Sequence, residues 1–433
     1  MKKNPTADPG LERCAAFVGI DWADKKHDVC LQVAGQPKRE LSVLPHKVAA
    51  IEAWASDLRA RFGGRPIAVC LELAQGPIVS ALLNHDFFVI FPVHPSTLAS
   101  YRRTFSPSHA KDDPTDAELA VDFLTRHPEA LTPLTPQSPD MRTLQSLVFS
   151  RRRLVEDTTR VTNRLTHALK AYFPQVLDWF REKDTLVFCD FLDRFPSLEA
   201  AQSESPEALA TFFREHNIRY GAVITKRIDA IKAERSLTRD RAVIEPNQLV
   251  AGALLAQLRV LIDAVARFDA RIAELCEKLP DHRIFRSLPA AGPTLAPRLL
   301  AAFGETRERF DSAAAVQKFT GIAPVTERSG NQNWVHWRLG CPKFVRQTIV
   351  EWAALTIPRS FWARAFYDKQ KSKGASHNAA VRSLAFKWIR ILYRLWIDRT
   401  TYDESKYLSA LQRRGSPLLQ FIAAQAQPAP TIS

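Results

Sequence analysis

The sequence lacks a run of apolar residues that could cross a membrane. No stretch of about eighteen such residues occurs in the 433-residue chain, whereas a spanning helix needs about 20. The first ten residues are polar and include two prolines, so they lack the apolar segment of a secretory signal. We therefore expect a cytoplasmic protein with no membrane partner.

The sequence is also poor in the residues that bind soft metals. Its six cysteines are scattered, and this spacing excludes a zinc ribbon. Free thiols in a reducing compartment are the better interpretation. The eleven histidines show no paired spacing on a predicted helix, so we expect none to be a metal ligand.

Positive charge is in excess, because 60 Lys and Arg stand against 46 Asp and Glu. A net charge of +14 favours a polyanionic partner. Between Cys341 and Gly415 the excess alone is +10, from 15 basic and 5 acidic residues. Basic side chains reach phosphates and aromatic rings stack on bases. We predict nucleic-acid contact here; the alternative is a helix bundle with a solvated basic face. The interleaved aromatic residues are Trp352, Trp362, Tyr367, Trp388, Tyr393 and Trp396.

Residues 15–130 have the pattern of an α/β domain. Short apolar runs at 16–20, 28–33, 66–71 and 87–91 predict strands, the first two joined as a hairpin. Helical spacing lies between them, at 46–61, 77–83 and 95–101. Such alternation predicts a central sheet with helices packed on it. Three prolines within 131–140 indicate a linker.

The rest of the chain has a helical pattern. Long apolar stripes at 144–172 and 247–279 predict a coiled-coil pair or a dimerisation arm within a helical region at 141–280. A mainly helical domain at 285–405 contains a tight turn at 288–293 and a loop from Gly321 to Asn333. The turn is either a helix-hairpin-helix that offers backbone N–H groups to a phosphate or a plain connection. We predict that residues 420–433, at the C-terminal end, form a disordered tail.

Acidic residues follow two predicted strands and open one helix. Asp21 closes the first strand and Glu72 a later one. Pro114 suits a first helical turn, and Asp113 and Asp116 share one face of that helix. Carboxylates placed in this way can converge on hard divalent cations, and two such ions can clamp a phosphoryl transfer. The alternative is that the acids are turn residues and helix N-terminal acids favoured by the dipole.

Three strings around these acids carry a family resemblance: VGIDWA at 18–23, LELA at 71–74 and AKDDPTDA at 110–117. They resemble the RuvC-like domain of DEDD-type insertion-sequence transposases, the bridge-RNA-guided recombinases related to Piv-type DNA invertases. The resemblance implies an RNase H-like fold in which Asp21, Glu72, Asp113 and Asp116 bind Mg²⁺. Two ions are expected, with Mn²⁺ as a substitute. A register with Asp112 in place of Asp113 stays open.

The C-terminal region resembles the second domain of the same family. The strings are LPAAGP at 288–293, FTGIAP at 319–324, RSG at 328–330 and KSKG at 371–374. By motif position, the resemblance implies that Ser329 is the nucleophile. The stretch NQNWVHWRLGCPKF after Gly330 departs from the family pattern. A serine hydroxyl needs a base or a metal, and the nearest histidine is His336. The metal site is the better candidate activator.

The resemblance covers about residues 15–405 and is weakest from 180 to 280. It implies a prokaryotic, nucleoid-associated transposase that exchanges DNA strands through a phosphoserine link. It also implies a guide RNA from the element and a dimer or tetramer in which the serine of one subunit completes the acid site of another. Two alternatives remain: a hydrolytic resolvase-like nuclease or DNA invertase, and a non-catalytic nucleic-acid-binding scaffold.

Overall fold

The computed structural model describes residues 10–73, 75–104, 113–330 and 332–421. Asp112 and all but two residues of the predicted tail lie outside these ranges. The chain divides into two compact units, with the boundary between Pro136 and Gln137. The predicted helical region and C-terminal domain both fall in the second unit, and their separation into two domains stays a prediction.

The first unit is built on a five-stranded mixed sheet, as the predicted α/β pattern requires. The strand order is β3-β2-β1-β4-β5, with β1 antiparallel to β2 and parallel to β4. One strand was not predicted: β3 is an edge strand in which only Leu44 is buried. The strands are β1 (Ala16–Trp22), β2 (Lys26–Val33), β3 (Arg39–Pro45), β4 (Ile67–Leu71) and β5 (Phe88–Pro92).

Four helices cover the two faces of this sheet: α1 (Val48–Phe62), α2 (Pro77–Leu82), α3 (Pro95–Arg103) and α4 (Asp113–Arg126). Side chains alternate between the faces along each strand. Val18 and Val69 pack with α1 and α2, whereas Ala68 and Cys70 pack with α3 and α4. We call the second surface the α4 face of the sheet.

The second unit contains two long helices, α5 (Pro139–Tyr172) and, further along the chain, the helix Arg241–Lys278. They pack antiparallel, since Leu144 shares a core with Leu275 and Leu165 shares another with Leu254. The two predicted apolar stripes therefore bury each other within one chain.

Five shorter helices lie between the two long ones and form a phenylalanine-rich core with them. They are α6 (Val176–Trp179), α7 (Leu186–Arg194), α8 (Leu198–Ser203), α9 (Pro206–Glu215) and α10 (Gly221–Ala233), so that Arg241–Lys278 is α11. Among the described residues, one helix, α11, has the length and the apolar composition needed to cross a membrane. Its buried side packs against α5, and Arg259 pairs with Asp190 and Asp193 of α7. We therefore assign α11 to the helical pair.

The remaining helices surround a second core and one small sheet. They are α12 (His282–Arg286), α13 (Gly292–Phe303), α14 (Ala313–Phe319), α15 (Lys343–Thr356), α16 (Phe361–Ser372), α17 (His377–Asp398) and α18 (Glu404–Arg413). The predicted loop from Gly321 to Asn333 is wrong, because β6 (Val325–Ser329) pairs with β7 (Gln332–His336). A Gly-Asn pair between two strands is itself a hairpin signal.

The tryptophans of the basic C-terminal stretch are structural. Four of them are fully buried, and each indole N–H donates a hydrogen bond within the core. Their predicted stacking on bases is therefore wrong, and for them the alternative of a helix bundle with a basic face is the better description. These residues are Trp352, Trp362, Trp388 and Trp396.

Candidate active site

The two strand-end acids occupy equivalent positions on neighbouring parallel strands. β1 and β4 pair in register up to Ile20 and Leu71, so Asp21 and Glu72 are the next residues on the two strands. Both are partly exposed. The carboxyl ends of adjacent parallel strands meet at one sheet edge, so the two carboxylates share that edge.

Helix α4 lies directly on β1 because Gly19 has no side chain. A Cβ at Gly19 would lie 2.0 Å from the Ala117 carbonyl oxygen and 3.0 Å from Ala120 Cβ. Gly19 therefore belongs to the α4 face, and Asp21, two residues later, shares this face. The close approach brings the first turns of α4, including Asp116, over the strand that carries Asp21.

Asp116 is buried, with 4% of its surface exposed. Arg102 of α3 places Nη2 at 2.5 Å from Asp116 Oδ1. Within the described residues neither Asp116 Oδ1 nor Arg102 Nε has a hydrogen-bond partner with good geometry. The two side chains therefore form an ion pair without a well-aligned hydrogen bond. Asp113 begins α4, but its side chain and all of Asp112 lie outside the description.

The available donors suit a hard divalent cation. No group of three metal-binding side chains is already assembled among the described residues. The candidate ligands are nevertheless all carboxylates, which Mg²⁺ prefers, and Asp116 Oδ1 is a buried oxygen without a hydrogen bond. A cation could replace Arg102 as the charged partner of this oxygen, so the residues fit the metal that the family implies.

The structure adds an acid that the sequence reasoning missed. Asp28 on β2 is the direct partner of Asp21 in the antiparallel β1–β2 register. Only 9% of its surface is exposed. The signal was present in the predicted hairpin, because counting back from its turn places Asp28 opposite Asp21.

A separate ion-pair network holds the far end of α4. Asp122 accepts hydrogen bonds from Arg39 (2.8 Å) and the Tyr101 hydroxyl (2.6 Å), and it pairs with Arg126 at 3.0 Å. Burial alone would raise the pKa of Asp122, but these three partners outweigh it and hold the pKa below its ordinary value. Burial and the Asp122 carboxylate raise the pKa of Tyr101 to about 12. This network joins β3, α3 and α4.

Ser329 is the last residue of β6 and is exposed. It pairs with Gln332, and the next residue, Gly330, has a left-handed backbone with φ 56°. His336 is at the other end of the hairpin, opposite Val325. Four residues of strand separate Val325 from Ser329, roughly 13 Å, so His336 cannot take the serine proton within this hairpin. Its imidazole instead pairs with Glu327 at 3.2 Å.

Two exposed tryptophans lie in the second strand of this hairpin and just after it. Trp334 on β7 and Trp337 just after it keep 44% and 47% of their surfaces exposed. The guanidinium groups of Arg382 and Arg346 lie over the Trp337 ring. Burial and, to a smaller extent, the positive charge of Arg346 lower the pKa of Arg382. These tryptophans belong to the stretch that departs from the family pattern.

Two models of transposase families match segments of this chain. A model of DEDD transposases of the IS110 type, described as "Transposase", matches residues 18–174. This segment contains both strand-end acids and α4, so the first unit has the sequence of a DEDD transposase. A second model, "Transposase IS116/IS110/IS902 family", matches residues 282–368, which include the serine hairpin.

Curated relatives match most of the chain. It is 28% identical to the mini-circle putative transposase for IS117 of Streptomyces coelicolor over 94% of this chain and 98% of the relative. It is 25% identical to an uncharacterized 42 kDa protein of insertion element IS900 of Mycobacterium paratuberculosis over 91% and 98%. The corresponding values for an uncharacterized 43.6 kDa protein of insertion element IS110 of S. coelicolor are 24%, 90% and 96%.

The chain belongs to the IS110 family of DEDD transposases, enzymes of DNA strand transfer. Residues 175–281 lie between the two matched segments, where the resemblance in the sequence is also weakest.

Proposed function

We propose that this transposase is a Mg²⁺-dependent recombinase in which Asp21, Glu72, Asp113 and Asp116 hold the cation and Ser329 attacks DNA. We further propose an RNase H-like fold for the first unit, a guide RNA encoded by the element, a homo-oligomer and a cytoplasmic location. The adjacent placement of Asp21 and Glu72 on parallel strands, with Asp116 buried in the helix above β1, carries the proposal.

Bound Mg²⁺ would neutralise charge on the reacting phosphate and favour loss of the serine proton. The side chains have separate tasks. Asp21 and Glu72 present oxygens from the sheet edge, and Asp116 presents oxygens from α4. Arg102, already beside Asp116, supplies a positive charge that can turn to a phosphate oxygen when a cation takes its place.

The covalent step exchanges one phosphoester for another. Ser329 Oγ forms a bond to phosphorus, and the bond from phosphorus to one deoxyribose oxygen breaks. That oxygen leaves as a hydroxyl after it gains a proton, while the serine loses its own. In the reverse step, a hydroxyl of a different DNA end attacks the phosphoserine and releases Ser329. The number of phosphoester bonds is the same before and after each step, so no hydrolysis is needed.

The exposed position of Ser329 supports this role. Its side chain has no hydrogen-bond partner among the described residues, and it occupies the tip of a two-stranded hairpin. Because His336 is too distant to act as base, the proposal requires the hydroxyl to be activated by groups outside the hairpin.

The first experiment identifies the nucleic acids. The protein is expressed with its native flanking DNA, and RNA that co-purifies with it is sequenced. A discrete structured RNA from the flank supports the guide and defines the donor and target. If flank transcription is confirmed but only random fragments co-purify, the guide is rejected.

The second experiment tests the chemistry on those DNAs. We expect Ser329→Ala and Asp21→Asn each to abolish strand exchange, and only chains that keep Ser329 to form an adduct with labelled DNA. Ser312→Ala, which removes a helix-capping serine, is the matched control and should keep the adduct. Cleavage that survives in Ser329→Ala would contradict the phosphoserine route and favour water as the nucleophile, as in a resolvase.

A further inference from the structure

We infer that Asp28 contributes a further carboxylate to the cation site bordered by Asp21, Glu72 and Asp116. The inference rests on the proposed metal site and adds a residue outside the four acids of the family motif.

The strand register places Asp28 beside Asp21. Asp21 and Asp28 are direct partners in the antiparallel β1–β2 pair, and directly opposed residues point to the same face with Cβ atoms about 5 Å apart. Two positions further from the turn, Gly19 pairs with Cys30. Cys30 packs against Ala117 of α4, so Asp28 also lies on the α4 face.

Asp28 is buried without a hydrogen-bond partner among the described residues, although its charge acts on the adjacent His27. Asp28 is nine-tenths buried, and no ion pair to its carboxylate occurs within the described part of the chain. Its neighbour His27 is hydrogen-bonded to His46 instead, and the nearby Arg102 is engaged with Asp116. Asp122, a comparably buried acid, has three partners.

The like charges of Asp28 and Asp21 repel each other, and a cation bound by both carboxylates would offset that repulsion. A divalent cation at the end of β1 supplies that positive charge. The competing explanation is structural: Asp28 faces the N-terminal turns of α4, whose dipole favours an acid. The two explanations predict different behaviour with and without metal.

The test measures binding of Mn²⁺ to the full-length protein from the electron paramagnetic resonance signal of the free ion. We expect Asp28→Asn to weaken binding about tenfold, the range in which outer carboxylates of metal sites act, and Asp21→Asn to weaken it at least as much. Asp24→Asn is the matched control, because Asp24 is an exposed acid in the same hairpin, and it should bind as the unmodified chain does.

Thermal unfolding in EDTA separates the two explanations. A ligand role predicts that Asp28→Asn melts in EDTA at the same or a higher temperature than the unmodified chain, with a smaller rise on adding Mn²⁺. A structural role predicts a lower melting temperature in EDTA and an undiminished rise with Mn²⁺, and this result would overturn the inference.

The outcomes also separate this inference from the proposed function. If Asp21→Asn loses binding but Asp28→Asn keeps it, only the inference fails. If Asp21→Asn itself binds Mn²⁺ normally, the proposed metal site fails too. Should Asp28→Asn not fold, Asp28→Cys provides a second test: a thiolate ligand should add cadmium–thiolate absorption that the unmodified chain and Asp24→Cys lack. Absence of that signal in a folded Asp28→Cys protein would reject the ligand role.

Discussion

Ala290 has a left-handed backbone, with φ 58°, in the turn between α12 and α13. This conformation costs a residue with a side chain about 1–2 kcal/mol, whereas glycine adopts it freely. We expect Ala290→Gly to raise the free energy of unfolding by about 0.5–1 kcal/mol, since part of the gain is lost to the freer unfolded chain. Chemical denaturation measures the change.

The neighbouring alanine is the control for this substitution. Ala291 has right-handed helical dihedral angles, so Ala291→Gly relieves no strain and should lower stability by about 0.5–1 kcal/mol. Equal effects of both substitutions would show that the left-handed angle at Ala290 is not strained.

Asp122 connects pH to the stability of the first unit. Its folded-state pKa lies below the ordinary value, so its pairs stabilise the fold fully above the unfolded-state pKa. That stabilisation is lost as pH falls through the folded-state pKa. We expect Asp122→Ala to lower the free energy of unfolding by about 3 kcal/mol at pH 7.

The difference between the Asp122→Ala and unmodified chains should narrow progressively below about pH 4. Denaturation at a series of pH values measures it, with the exposed acid Asp57→Ala as control. A difference that stays constant down to the acid limit would mean that packing, rather than charge, stabilises Asp122.

At the scale of elements, apolar periodicity predicted the features that depend on burial. The strands β1, β2, β4 and β5 have strongly buried centres, and the stripes of α5 and α11 bury each other. Strands with little burial were missed, because β3 and the β6–β7 hairpin are mostly exposed and lack the continuous apolar run of a buried strand. The long helices were predictable as elements, but their pairing within one chain was not.

The contact of α4 with β1 depends on Gly19. A Cβ there would overlap the Ala117 carbonyl, so α4 must move away from the strand. We expect Gly19→Ala to lower the free energy of unfolding by about 3 kcal/mol and to weaken Mn²⁺ binding by displacing Asp116 from Asp21. Denaturation and Mn²⁺ titration of the same variant measure the two effects.

Gly252→Ala is the control for Gly19→Ala, because the added Cβ meets no atom within 4 Å inside α11. It should stabilise the chain by about 0.5–1 kcal/mol, as alanine does in a helix, and leave Mn²⁺ binding unchanged. Stability loss without weaker Mn²⁺ binding in Gly19→Ala would show that the position of α4 does not control the metal site.

Across the whole molecule, the candidate acids and Ser329 differ in how well the sequence alone could predict them. The acids follow from strand ends and a helix start, features that elementary rules recognise, although the partnership of Asp21 with Asp28 required the strand register. Ser329 came only from the family resemblance, since a Ser-Gly dipeptide is an ordinary turn sequence. Tryptophans of the basic segment were misjudged because composition does not tell a core aromatic from an exposed one.

The charge of the molecule leads to a prediction about DNA binding. Lys371 and Lys373 are exposed at the end of α16, within the segment of net charge +10 between Cys341 and Gly415. If this basic surface contacts phosphates, each lost contact lowers the dependence of log K on log salt by about 1. We expect the double variant Lys371→Ala/Lys373→Ala to bind DNA more weakly, with a slope reduced by about 2.

The control removes the same charge elsewhere. Arg219 and Lys226 are exposed in the helical region between the two matched segments, and Arg219→Ala/Lys226→Ala should leave the salt slope nearly unchanged. Fluorescence anisotropy with labelled duplex DNA between 50 and 200 mM salt, about the range in which counterion release dominates, measures both variants. Equal losses would mean that net charge attracts DNA without a defined contact at α16, whereas a loss confined to Lys371 and Lys373 locates the phosphate contact on this surface.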